Sequence, residues 1–231
     1  MLLFYVRHGK PTPDDGLTPL GMRQAEAVGK RIAAHGIDRI YSSPTTRAQL
    51  TAQPLSEISL KPVTVLDWCD EVHFSEPLDR GTAPRSDLWK SGIMHSREMY
   101  DLADRWYEHP VFEGTDTKEY ILTTQKKLDE LTASWGYIHD REKGTYRVEH
   151  PNSERIALFA HAGFSTVFTS LLLDIPYPML HNFCTAHSSM ITIHFPESGD
   201  AVRPGLFQWG NDSHLYREGL PTAFNSSGVP V

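Results

Sequence analysis

The chain has 231 residues, a net charge of −7 and 39% hydrophobic residues. That length suits one large domain, or a core with a sizeable insertion, and it can bury a core without disulfides. The acidic balance argues against a nucleic-acid backbone as the main partner, and two cysteines, Cys69 and Cys184, give neither a disulfide framework nor a Cys-pair metal spacing.

The expected setting is reduced and cytoplasmic. The amino-terminal apolar run, Met1 to Val6, stops at Arg7 and is too short for a signal peptide, and no stretch approaches a membrane span. That run reads as a buried strand ending in Arg7-His8-Gly9. A turn-rich loop follows, with Pro11, Pro13 and Gly16. Thr18 then caps a helix that has Pro19 at its first position, an apolar face at Ala25, Val28 and Ile32, and a stop at Gly36.

Asp38 to Ser42 reads as a second strand. Ser43-Pro44 repeats the cap-plus-proline start, so a second helix is expected from there to about Glu57, and Val63 to Leu66 is a third short strand. Strands alternating with helices imply parallel βαβ units. From 74 to 141 the rhythm breaks. This segment reads as a helical insertion packed over the sheet edge, inside a single domain covering 1–231. Its clearest element is an amphipathic helix over Asp116 to Trp135, with Ile121, Leu128 and Leu131 on one stripe. The α/β rhythm returns at Ile156 to Ala160, a buried-strand run ending in His161, followed by a helix from about Phe164 to Leu173. Met190 to Phe195 alternates as a strand, and the tail after Leu220 is rich in Gly, Pro, Ser and Asn.

If the strands ending in Arg7-His8, Ser42-Ser43 and His161 are parallel, then Arg7, His8, Arg47 and His161 gather at one sheet edge. That is where open α/β sheets bind ligands and where helix amino termini favour anions. Taken singly, each residue has a plain structural reading: a solvent-facing loop pair, a surface arginine, a satisfied half-buried histidine. Together they describe a pocket for a dianion such as a phosphoryl group.

Arg7-His8-Gly9, Leu17 to Gly21 through Gln24-Ala25, Ser42-Ser43-Pro44 with Arg47-Ala48 and Thr51-Ala52, and His161 before a helix resemble the histidine phosphatase superfamily, also called the phosphoglycerate mutase-like family. Asn211-Asp212 with His214-Leu215 resembles a carboxyl-terminal element common in it. The resemblance covers 1–66 and about 154–215 and leaves the insertion uncovered. It implies a three-layer αβα sandwich with a mostly parallel central sheet.

By that resemblance His8 is the nucleophile and forms a phosphohistidine that water hydrolyses. Arg7, Arg47 and His161 bind the non-bridging oxygens. The partner nitrogen of His8 needs an acceptor, expected to be a backbone carbonyl, to fix the tautomer. Fixed cations can stabilise phosphoryl transfer, so no metal and no cofactor are implied. The acid that protonates the leaving group is expected in the loop after the third strand, at Glu71, with Asp70 and Asp67 as alternatives and Trp68 as the burying neighbour.

The resulting expectation is a metal-independent phosphatase acting on a small-molecule phosphomonoester, with no nucleic-acid or membrane partner. Lys10, the loop from Pro11 to Asp15, and Ala162 depart from the mutase pattern. Phosphoglycerate-mutase-type phosphotransfer and a non-catalytic phosphate-ligand-binding relative are the competing readings. In the insertion, Trp89, Met94, Met99, Tyr100, Trp106 and Tyr107 either line the leaving-group side or form core. Arg80, Arg85, Lys90 and Arg97 either meet a second anionic group or form a solvated face. Exposed apolar insertion residues would be compatible with a homo-oligomer.

Overall fold

The computed structural model describes residues 1–72 and 92–221. Strand β1 (Leu2–Arg7) is buried on both faces, as its unbroken apolar run requires. Helix α1 (Pro19–Ala33) begins where its cap residues place it: the Thr18 side chain accepts from the Gly21 amide, and Ala25, Val28 and Ile32 are buried. Gly36 sits at φ +76° and ends the helical path into β2 (Arg39–Ser42).

Helix α2 (Thr46–Ser59) starts two residues later than Ser43-Pro44 suggests, with Thr45 at its cap. The Ser43 hydroxyl is already engaged by the Thr45 amide and by His161, so the chain stays extended through Pro44 before it coils. Strand β3 (Val63–Val65) follows.

In the described part of the inserted segment, a short helix α3 (Arg97–Asp101) and three 3-10 stretches, Ile93–His95, Ala103–Glu108 and Pro110–Phe112, precede α4 (Thr117–Ser134). Ile121 and Leu128 of α4 are buried on one stripe and Leu131 packs beside them, as the periodicity demands. Met94, Met99 and Trp106 are core, in a cluster with Phe112, Ile121, Val167 and Tyr177. Arg97 is exposed and paired with Asp101. Trp89, Arg80, Arg85, Lys90 and the tail from 222 lie outside the described residues.

A hairpin of β4 (Tyr137–Asp140) and β5 (Thr145–Val148) leads into β6 (Arg155–Ala160) and α5 (Ala162–Leu173). Helix α5 begins two residues before the expected Phe164, with His161 itself, extended at φ −125°, as its cap. A one-turn α6 (Tyr177–Leu180), β7 (Met190–His194), β8 (Gly205–Asn211) and α7 (Ser213–Arg217) complete the described chain.

The main sheet has six strands in the order β3-β2-β6-β1-β7-β8. β1, β2, β3 and β6 are parallel, while β7 runs antiparallel to both β1 and β8. Alternate residues of β1 separate two cores. Phe4 and Val6 pack with Val28, Ile32, Ala52 and Leu55 of α1 and α2. Leu3 and Tyr5 pack with Phe164, Phe168 and Leu172 of α5, joined by Leu128 and Trp135 of the insertion. Trp135 lies against Tyr41 of β2, and Arg39 donates to the Ser134 carbonyl, so α4 covers this face toward the β3 edge. The result is an αβα sandwich with the insertion built into one outer layer. Among the described residues, no helix is long and apolar enough to cross a membrane. Cys69 is buried, Cys184 is exposed, and both are free.

The hairpin is tied to α4 and α5 by charge. Arg141 donates to both oxygens of Asp129, at 2.7 and 3.0 Å, and to Asp174 at 3.2 Å. His139 stacks on Tyr146 with centroids 4.0 Å apart, its Nε2 lying 2.8 Å from Asp174 and its Nδ1 3.4 Å from Asp129. Burial works against a charged His139, but hydrogen bonds to Asp129 and Asp174 outweigh it and raise the pKa above the usual histidine value. Its contribution to stability is therefore fully present below about pH 6.5 and is lost as pH rises through the raised folded value. Comparing denaturation of His139→Gln and wild type from about pH 6 to pH 9 should show a stability gap that is largest at the acid end and closes upward. A gap that widens with pH would contradict this account.

Candidate active site

Register places the ends of three strands side by side. Arg7 pairs with Ala160, and Ser42 with Phe159. The His8 amide then donates to the Ala160 carbonyl at 2.9 Å, and the Ser43 amide to the Phe159 carbonyl at 2.8 Å. His8 and His161 emerge from adjacent parallel strands with ring centroids 5.3 Å apart. The fully buried Tyr5 holds the second of them, because its hydroxyl donates to the His161 carbonyl and accepts the His161 amide.

His8 is 4% exposed. Its Nδ1 lies 2.8 Å from the Gly9 carbonyl. A carbonyl can only accept, so Nδ1 carries the proton and Nε2 keeps a free lone pair. Burial pushes the His8 pKa down to about 4, against the Gly9 hydrogen bond, which raises it; the charges of Arg7 and Arg47 lower it further. The ring is neutral near pH 7. The loop that carries it is pinned: the Gly9 amide donates to Thr51 Oγ1, and the Lys10 amide to Gln24 Oε1. A Cβ on Gly9 would come within 2.6 Å of the Gly21 carbonyl oxygen, so only glycine lets α1 start this close.

Each arginine rests on a histidine. Arg47 Nη2 donates to His161 Nδ1 at 3.1 Å, which leaves the proton on His161 Nε2, 2.7 Å from Ser43 Oγ. Arg7 Nη2 donates to His187 Nε2 at 3.0 Å, and Arg7 Nη1 to the Thr185 carbonyl at 2.6 Å. Burial first, then the arginine charges, lower His161 and His187 to about 3, so both stay neutral acceptors. Asp15 closes one side. Its carboxylate pairs with Arg47 Nη1 and accepts the Thr46 amide at 2.8 Å. The outcome is two guanidinium groups and a neutral imidazole with a bare nitrogen at one sheet edge, a set of groups suited to a tetrahedral oxyanion.

Of the three carboxylates expected after β3, two lie at this edge. Glu71 Oε1 accepts from the Phe164 amide at 3.2 Å in the first turn of α5, where the helix dipole favours a negative charge. A Cβ on Gly163 would come within 2.8 Å of that oxygen. Asp70 Oδ1 is 3.7 Å from His161 Nε2 and half-exposed. Asp67 is exposed, with its charge felt at Cys69. Trp68 is half-buried against Phe164 beneath this loop.

The pocket thus brings together Arg7, His8, Arg47 and His161, with Glu71 and Asp70 on the α5 side. Sequence reasoning missed Asp15 and His187. His187 precedes an antiparallel strand, and such a strand starts at the edge where its parallel neighbours end. Asp15 sits in a turn at φ +66°, where its Asp-Asp-Gly composition is the available signal.

A family model described as the histidine phosphatase superfamily (branch 1) matches residues 3–87. A curated relative, the putative phosphoserine phosphatase 2 of Hydrogenobacter thermophilus, is 24% identical over 181 residues, covering 78% of each chain. Among solved structures, the Entamoeba histolytica phosphoserine phosphatase in complex with 3-phosphoglyceric acid matches with a TM-score of 0.58 and 20% identity, covering 93% of this chain and 98% of its own. A mycobacterial glucosyl-3-phosphoglycerate phosphatase with inorganic phosphate matches with a TM-score of 0.61 and 22% identity over 92% and 98%. At these identities the structural matches establish the fold: a mixed, mostly parallel six-stranded α/β sheet. Residues 3–87 thus match the histidine phosphatase superfamily (branch 1) model, and the fold of the described chain agrees with that match.

Proposed function

We propose that the protein is a metal-independent phosphatase that hydrolyses a small-molecule phosphomonoester through a phosphohistidine on His8. The observation that carries this reading is the hydrogen bond from His8 Nδ1 to the Gly9 carbonyl, which leaves Nε2 unprotonated beside two arginines. In the proposed first step, the Nε2 lone pair attacks phosphorus and the P–O ester bond breaks. The leaving oxygen takes its electrons and a proton from a carboxylic acid. In the second step, the resulting carboxylate takes a proton from water, the hydroxide forms the new P–O bond, and the P–N bond electrons return to His8. Arg7 and Arg47 hold the non-bridging oxygens, with His161 fixing Arg47.

Glu71 is the preferred acid and Asp70 the alternative. Both come from the loop after β3, and Glu71 lies near enough for its charge to act on Arg7. The substrates named for similar proteins, phosphoserine and glucosyl-3-phosphoglycerate, belong in the first panel of compounds.

Wild type should release inorganic phosphate from members of a phosphomonoester panel, and His8→Ala should lower kcat by about 10³-fold or more. Isomerisation without phosphate release, or full activity in His8→Ala, would refute the proposal. Glu71→Gln and Asp70→Asn separate the acid candidates when alkyl and nitrophenyl phosphates are compared. Loss of the true acid should slow the alkyl ester at least tenfold more than the nitrophenyl ester, whose leaving group needs little protonation; ~10²–10⁴-fold is the usual scale of such catalysis. Asp15 competes with the substrate for Arg47. Asp15→Asn is therefore expected to tighten inhibition by inorganic phosphate roughly tenfold, the worth of one partly screened charge at close range. Weaker inhibition would assign Asp15 to orienting Arg47 instead.

A further inference from the structure

The carboxyl-terminal motif Asn211-Asp212 with His214-Leu215 touches none of the pocket groups named above, yet His214 is only 4% exposed. Its two ring nitrogens have different partners. Nδ1 lies 3.4 Å from Arg31 Nη1, a nitrogen that also donates to Asn211 Oδ1 at 2.6 Å and to Ser213 Oγ at 2.7 Å. A guanidinium only donates, so Nδ1 accepts and the ring proton sits on Nε2, 3.3 Å from Ser188 Oγ. Ser188 Oγ in turn donates to the Gln24 backbone carbonyl at 2.9 Å. Burial and the adjacent Arg31 charge hold His214 neutral down to about pH 4, which keeps this direction of donation intact near neutrality.

Ser188 is the critical member. Its amide donates to the carbonyls of both Arg7 and His8, each at 3.1 Å. It holds φ at +63°, a conformation that side chains other than glycine's adopt reluctantly. The hydroxyl at this position is engaged on both sides, by His214 and by the Gln24 carbonyl. Gln24, the hydroxyl's acceptor, also receives the Lys10 amide on its side chain, so the backbone from Arg7 to Lys10 is gripped from two sides by one buried polar chain. That chain starts at Arg31 on α1 and His214 on α7.

We infer that His214 is a positioning residue for His8: with Arg31 it fixes Ser188, and Ser188 fixes the backbone that aims the His8 ring. The inference rests on the phosphatase reading of the pocket. It gives the carboxyl-terminal motif a task at a distance from the reacting atoms, carried by hydrogen bonds through Ser188 and Gln24.

The test uses the full chain and nitrophenyl phosphate. His214→Leu should lower kcat roughly 10–100-fold, the scale expected when a reacting group is slightly misplaced, with KM within about threefold of wild type. His214→Gln, which keeps one acceptor and one donor, should recover most of that loss. Ser188→Gly separates positioning from folding, since glycine accepts φ +63° without strain while the hydroxymethyl group, and with it the bonds to His214 and Gln24, is gone. It should unfold within about 3 °C of wild type and still show the kcat loss. Wild-type kcat in Ser188→Gly, or no rescue by Gln at position 214, would overturn the inference. An inactive wild type, or an active His8→Ala, would instead overturn the phosphatase reading itself, so the two failures are told apart.

Discussion

Everything proposed for this pocket depends on an uncharged imidazole. His8 donates from Nδ1 to a carbonyl one residue away, and burial between two guanidinium groups makes a second proton costly. The same device recurs on either side. His161 and His187 are neutral and each accepts a hydrogen bond from one arginine. An arginine oriented by an imidazole is held in place without losing its charge, whereas one oriented by a carboxylate is partly neutralised. Arg7 is held in the first way only, by His187 and a backbone carbonyl. Arg47 is held in both ways, by His161 and by Asp15, so the two arginines are unlike in the charge they present.

The fold supplies the closeness that this chemistry needs. Adjacent parallel strands put His8 and His161 at matching heights because Arg7 pairs with Ala160, and a one-residue slip would send alternate side chains to the wrong face. The strands that carry the pocket are also the best buried, with cores on both sides. The polar groups at their ends are satisfied by the backbone, by Tyr5, and by the chain through Ser188. Rigidity at the edge thus comes from packing beneath it.

Legibility in the sequence followed the strength of local signals. Helix α1 declared itself by Thr18 and Pro19, and α4 by the spacing of Ile121, Leu128 and Leu131. The hairpin β4–β5 and the edge strand β8 did not, because they are only partly buried and their residues show no sustained alternation. In the pocket, Arg7, His8, Arg47 and His161 were readable because each follows a recognisable apolar strand. Glu71 and Asp70 were readable as a neighbourhood, but a choice between them needed geometry. His187 depends on strand direction, and Asp15 on a turn meeting a helix 31 residues later; neither is written in local composition.

The antiparallel course of β7 has a consequence for how the molecule comes into being. Reversing direction beside β1 brings Thr185, His187 and Ser188 to residues that left the ribosome about 180 residues earlier. The first 72 residues carry both arginines, His8 and Asp15 but lack His161, His187 and the Thr185 carbonyl, which accept from the arginines. The pocket is therefore a late product of folding, because the contacts of Arg7 to Thr185 and His187 span 178 and 180 residues. An anion that binds it recognises only the completed topology, so by mass action its binding energy stabilises the whole domain against unfolding.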